Sequence, residues 1–180
     1  MGTRAIYRFT DNEGTYAVYK HYDGYPQGAS EFLLKAFSKA WKLPRYEANE
    51  LAASFVAANK EDEGGVRLMN DPDADWGQDY VYDVFQAKNG QMIVKVYKGV
   101  VSDNDIYFYG RLKDFCLQEM NVDKETEIVN TFHGEPTAKF NGDDADVELK
   151  KAEIMTAVKD ALDKINKIKS DLEEVVKVGY

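Results

Sequence analysis

Tyr80-Val-Tyr-Asp-Val-Phe85 and Met92-Ile-Val-Lys-Val-Tyr97 stand on either side of Asn89-Gly90. Both hexapeptides are built from β-branched and aromatic residues, and Asn-Gly is the strongest short signal of a tight hairpin turn. The pattern predicts two antiparallel strands. A third, Ile106-Tyr-Phe-Tyr-Gly-Arg-Leu112, follows the turn residues Ser102-Asp-Asn-Asp105 and extends the hairpin to a meander. Toward the N-terminus, Thr3 to Thr10 and Thr15 to His21 have the same composition around Asp11-Asn-Glu-Gly14, which predicts a further hairpin. Tight turns favour antiparallel pairing, so the expected class is α+β, an antiparallel sheet covered by helices.

The helices are read from apolar spacing. Phe32, Leu33, Ala36, Phe37, Ala40 and Trp41 recur at helical intervals between Gly28 and Trp41, and Leu43-Pro44 ends that segment. Leu51, Phe55, Val56 and Ala58 repeat the pattern over 47–59. Between the two halves, 60–78 has loop composition with a short strand near Val66–Met69. Phe115 to Met120 suggests a helical turn and Glu127 to Phe132 a short strand. From Asp144 onward Ile154, Val158, Ala161, Ile165, Ile168, Leu172 and Val175 alternate steps of four and three, and Gly179 stands at the place of a C-terminal cap. Asp143 or Asp144 is positioned to cap the start of this helix. At about 1.5 Å per residue it is about 50 Å long, more than the diameter of roughly 40 Å expected for a globule of this size. Met155, Leu162 and Val176 widen its apolar stripe. Such a stripe suits packing on a sheet, and the alternative is a homodimer contact through 147–178. One domain is expected over 1–180: hairpin and helical pair to residue 60, acidic loop and meander to 140, long helix thereafter.

The chain has 180 residues and a net charge of −9. Its hydrophobic fraction of 44% is ample for a core. A pI near 4.8 argues against binding phosphate backbones directly. No apolar run reaches the length of a membrane span and no signal core opens the chain, so it reads as cytoplasmic, with no membrane and no cofactor expected. The charge is concentrated. Residues 1–60 are slightly basic, whereas 61–83 hold eight carboxylates against Arg67 alone.

Three constellations bear on chemistry. Asp71, Asp73, Asp75 and Asp79 occupy positions 1, 3, 5 and 9 of a calcium loop, and Asp71, Asp73 and Asp75 are weak metal candidates. Trp76 stands where that loop needs Gly, and Tyr82 where it needs Glu, so the stretch reads better as a partner-binding acidic surface that includes Asp83. His21 and Asp23 end the second strand and could serve as a general base and its orienter in a small hydrolase or nucleotide-modifying enzyme, though Asp23-Gly24 is also ordinary turn chemistry. Cys116 with His133 or His21 could make a thiol nucleophile, but Asp114-Phe-Cys-Leu117 is an apolar context that suits a buried structural cysteine.

The opening Thr3-Arg4-Ala5 and Val18-Tyr-Lys-His-Tyr-Asp-Gly-Tyr-Pro-Gln-Gly28 resemble a family of uncharacterised phage, prophage and bacterial proteins. Its members begin with a short "TR" strand and carry an H-[WYF]-DGYP-x-G signature. The resemblance covers about the first 40 residues and implies a mobile-element context. It brings no activity or catalytic residue with it, and marks His21, Asp23, Gly24, Tyr25 and Pro26 as signature positions, Tyr25 as a binding candidate. The expected function is a non-enzymatic acidic protein that binds a basic site on a host protein, such as an inhibitor of a nucleic-acid-handling defence system. The enzyme using His21 and Asp23 and a structural protein dimerising through the last helix are the alternatives.

Overall fold

The computed structural model describes residues 2–178 apart from 121, 138, 139 and 141, and apart from the side chains at 122, 148, 152 and 171–178. Six strands run β1 (Ala5–Thr10), β2 (Thr15–Lys20), β3 (Val66–Met69), β4 (Tyr80–Gln86), β5 (Met92–Lys98) and β6 (Ile106–Arg111). They form one sheet in the order β3-β2-β1-β4-β5-β6. Both expected hairpins are present, and the class is α+β. One junction departs from an antiparallel sheet: β1 and β4 pair in parallel, with Arg8 opposite Asp83. The chain between them passes through two helices and β3, and a crossover of that length is what parallel neighbours require.

Helices α1 (Pro26–Lys39), α2 (Ala48–Asn59), α3 (Leu112–Glu119) and α4 (Glu125–Thr131) cover one face. Tyr7, Phe9, Tyr82, Val84 and Val94 point into this layer and meet Leu33, Leu51, Phe55 and Phe115. Tyr7 lies between Phe55 and Tyr82, with ring centroids 4.4 and 5.1 Å away. The segment expected as a strand over 127–132 is α4. Ile128 and Phe132 lie one helical turn apart and are both buried, Phe132 against Phe37 at 5.3 Å. An extended chain would have turned Asn130 to the same side as Ile128 and Phe132, and Asn130 is exposed.

Helix α5 (Gly142–Val178) crosses the other face. It starts at Gly142, with Asp143 and Asp144 inside its first turn rather than capping it, and the expected cap at Gly179 lies outside the described residues. Ala145 and Leu149 are buried against Phe85, Ala87 and Ile93. Beyond them the apolar stripe does not pack on the sheet, as its breadth had suggested. Ile154, Val158, Leu162, Ile165 and Ile168 all lie on the exposed side, and Glu153, Thr156, Ala157 and Asp160 face inward. Every residue from Ala157 to Ser170 is exposed, so no side of this stretch of the helix is buried against the sheet.

Candidate functional site

The sheet face under α5 carries one charged row. Register places Ala17, Arg8, Asp83, Lys95 and Tyr109 side by side on β2, β1, β4, β5 and β6. The rows above and below are mainly apolar, through Ile6 and Val81 on one side and Phe85 and Ile93 on the other. Arg8, Asp83 and Lys95 are each less than a tenth exposed. Buried charges persist only when paired. The Nε of Arg8 lies 3.2 Å from Oδ1 of Asp83, and its Nη2 lies 3.3 Å from Asp73 and 3.8 Å from Glu153 of α5. Lys95 donates to Asp103 at 2.9 Å and to Asp146 of α5 at 3.4 Å. Helix α5 therefore meets the sheet with carboxylates because the sheet presents cations.

The pairing is incomplete. The Arg8–Asp83 approach is a charge contact without hydrogen-bond geometry, and Arg8 Nε and both Asp83 oxygens have no hydrogen-bond partner among the described residues. Burial pushes the Asp83 carboxyl up to about 6, with Glu153 and Asp73 adding to the rise and the positive charges of Arg8 and Lys95 opposing it. Lys95 behaves oppositely. Burial works against its charge, but the hydrogen bond to Asp103 wins and holds the ammonium above its ordinary value.

Beside this row lies a cleft of about 780 Å³ between the sheet, residues 70–78 and α5. Ile6, Val81 and Arg8 contribute from the sheet, Asp71, Asp73 and Asp75 from the loop, and Glu153 and Asp160 from the helix. Five carboxylates and one guanidinium thus line the cleft, and of the five Asp73 and Glu153 reach the guanidinium. The loop is shaped by its own side chains. Asp71 Oδ1 accepts from the Asp73 N–H, Asp75 Oδ1 from the Gly77 N–H, and Asp79 Oδ2 from the Arg4 N–H, each within 2.9 Å. Ala74 packs on the apolar cluster of Ile6, Tyr19 and Val81, and Trp76 lies against Tyr19 at 5.1 Å.

The structure thus gathers Asp71, Asp73 and Asp75 at one cleft and separates them from the other candidates. Asp79 is tied to the β1 backbone. Asp83 is a correction: it was read as part of an acidic surface, yet it is 2% exposed, because β4 is central and this position points beneath α5. Asp71, Asp73 and Asp75 do not converge as metal ligands, and no group of three or more such side chains able to hold a metal occurs among the described residues.

Tyr25 is exposed at the start of α1. His21 Nδ1 is hydrogen bonded to Tyr19 Oη at 2.8 Å, and its ring abuts Tyr22. Asp23 holds a left-handed φ of 58°, and Gly24 donates to the Thr3 carbonyl at 2.9 Å. A Cβ on Gly28 would sit 2.1 Å from the Asp23 carbonyl oxygen, and Tyr82 Oη donates to the Gly24 carbonyl. Asp23, Gly24 and Gly28 therefore lock the β2-to-α1 turn onto the start of β1. Cys116 is fully buried and its thiol is pushed up to about 12 by that burial, the opposite of an activated nucleophile.

Arg8, Lys95, Glu153 and Asp160 were not singled out from the sequence. A signal for the row was present: Ile-Tyr-Arg-Phe, Val-Tyr-Asp-Val and Ile-Val-Lys-Val each set one charge in the middle of an apolar strand. No helix among the described residues is long and apolar enough to cross a membrane. No family model, curated protein or solved structure matches the chain.

Proposed function

We propose that the protein is a non-enzymatic interaction protein whose acidic cleft receives a basic element of a partner protein. The observation that carries this reading is the set of carboxylates at Asp71, Asp73, Asp75, Glu153 and Asp160 that line the cleft with the single guanidinium of Arg8. Clustered negative charge in a concave, partly desolvated site attracts Lys and Arg side chains and repels phosphates. The partner is accordingly a protein with a cationic patch rather than a nucleic acid. Nucleic-acid-handling enzymes carry such patches, and an inhibitor of one of them in a phage or prophage setting is the concrete form the reading takes.

The test is binding of the captured partner to wild type and to a variant carrying Asp71→Asn, Asp75→Asn and Asp160→Asn. These three avoid the carboxylates paired with Arg8. Affinity in the variant falls tenfold or more, with a weaker dependence on salt. Equal affinity and equal salt dependence in the two proteins overturn the proposal.

A second reading, self-association through α5, is favoured by its exposed apolar side chains from Ile154 to Ile168. Light scattering at two concentrations checks it, and a monomer at both removes it.

A further inference from the structure

We infer that two copies of the chain associate through α5 in antiparallel orientation, an arrangement that rests on the self-association reading. Ile154, Met155, Val158, Leu162, Ile165 and Ile168 are each about half exposed or more. Together they form a continuous exposed apolar stripe, the kind of surface that marks a site of association. The spacing identifies the occupant as another helix. Ile154, Val158, Ala161, Ile165 and Ile168 alternate steps of four and three, the seam of a coiled coil, in which Val158 and Ile165 take position a and Ile154, Ala161 and Ile168 position d. The stripe also faces away from the sheet even where the helix is anchored, since Asp146 and Glu153 hold the opposite side to Lys95 and Arg8. A second copy of the same helix supplies the same stripe, and a two-fold axis makes the contact self-complementary.

Charge decides the orientation. With this register Met155, Leu162 and Lys169 fall at position e, and Lys150, Ala157 and Lys164 at position g. A parallel pair sets e of one helix against g of the other. It would oppose Lys169 to Lys164 of the second copy and Met155 to Lys150, a like-charge contact and an apolar-against-charge contact, each made twice. It would also bring the two acidic clefts, which flank α5 at Glu153 and Asp160, to the same height. An antiparallel pair sets e against e, so that the apolar flank with Met155 and Leu162 meets its own kind and continues the seam. On the other flank g meets g, and with Val158 layered on Ala161 of the second copy Lys164 stands beside Ala157 rather than beside a lysine.

Two variants of the full chain with one added cysteine each, Met155→Cys and Lys169→Cys, spin-labelled at the added cysteine, read the orientation by electron-spin distance measurement. Cys116 is buried and does not compete for label. In a parallel, in-register dimer the two labels of either variant lie at one height, and both variants give the same short distance. In an antiparallel dimer the axial offsets of the two variants add to at least about 42 Å at 1.5 Å per residue, whatever the register. At least one variant must then show an offset of about 21 Å or more. Light scattering on the same samples reports the mass. Twice the chain mass of 20.4 kDa with that unequal or long pair of distances supports the inference. A dimer with two equal short distances overturns the orientation and leaves self-association standing. A monomer at high concentration, or a higher oligomer, overturns the dimer itself. Ile165→Asp, at an exposed site away from the sheet, abolishes the dimer and keeps the folded circular-dichroism spectrum.

Discussion

The two faces of the sheet are built on different principles. On the face toward α1–α4, Tyr7, Phe9, Tyr82, Val84 and Val94 present an unbroken apolar surface, and the helices that cover it bring Leu33, Leu51 and Phe55 to match. On the face toward α5, Arg8, Asp83 and Lys95 occupy the central row, and the covering helix brings Asp146 and Glu153. An apolar face selects its cover by area, whereas a charged face selects it by pairing. The consequence is visible in α5. Asp146 and Glu153 are held to the row near the start of the helix, and its apolar positions from Ile154 to Ile168 are exposed.

The sharpest way to break this comparison is to damage each face once. Phe55→Ala on the apolar face removes a fully buried ring in contact with Tyr7 and Phe9 and lowers stability by about 3–5 kcal/mol in urea unfolding. Arg8→Met on the charged face leaves Asp83 buried without its nearest cation and costs about 3–5 kcal/mol. The faces separate in the double variant. Arg8→Met with Asp83→Leu recovers most of that loss, because the charges are replaced together by apolar groups of similar size. No second substitution on the apolar face restores the volume lost with Phe55 in the same way. A double variant as unstable as Arg8→Met alone would show that the row stabilises by more than mutual compensation.

A smaller effect follows from the raised Asp83 carboxyl. Its value near 6 in the folded chain compares with about 3.9 for an unperturbed Asp. The folded state then holds more protons than the unfolded state between pH 4 and 6. Stability contributed by this group is present below pH 4 and is lost as pH rises through 6. The size is about 3 kcal/mol at 1.36 kcal/mol per unit. Asp83→Asn removes this dependence, so the difference in unfolding free energy between wild type and variant shifts in favour of the variant as pH goes from 4 to 7. A difference that stays constant over that window contradicts the burial of an incompletely paired carboxylate.

The legible and illegible parts of the molecule divide along the same line. The hairpins were readable because Asn89-Gly90 and Asp11-Asn-Glu-Gly14 encode their turns locally, and α1, α2 and α5 because their apolar spacing is long enough to be unambiguous. Helix α4 departs from the expected strand although Ile128, Val129, Thr131 and Phe132 favour strands by composition, and the burial of Ile128 and Phe132 with Asn130 exposed between them is what reveals the helical period. The parallel β1–β4 junction depends on which strand ends the crossover meets, a matter of tertiary packing. For the site, Asp71, Asp73 and Asp75 were visible as a cluster. Arg8, Glu153 and Asp160 come from positions far away in the chain and are brought together by the sheet register and the path of α5. Asp83 was counted with the surface acids because sequence proximity to them hid its place in a central strand.

The smallest expected effect isolates a turn that touches both covering layers. The β1–β2 hairpin places Asp11 against α2 and Glu13 against α5. Asp11 Oδ2 accepts the Ala48 N–H at 2.7 Å, and its Oδ1 accepts the N–H groups of Glu13 and Gly14. The residue before α2, Glu47, makes no side-chain cap of its own, so Asp11 satisfies the helix start from outside and places a negative charge at its positive end. On the other side Lys159 Nζ donates to the Glu13 carbonyl at 3.1 Å, from an exposed position. Asp11→Ala should therefore cost about 1–2 kcal/mol, the range for a lost cap together with a turn bond. Lys159→Ala should cost less than about 0.5 kcal/mol, because water replaces an exposed hydrogen bond and the lysine regains rotamer freedom. Unfolding of the two variants in urea at one pH measures both. Equal losses would mean that α5 is held to the hairpin as firmly as α2 is. A clear excess for Asp11→Ala fits a helix fastened to the sheet by its charged row rather than by the hairpin.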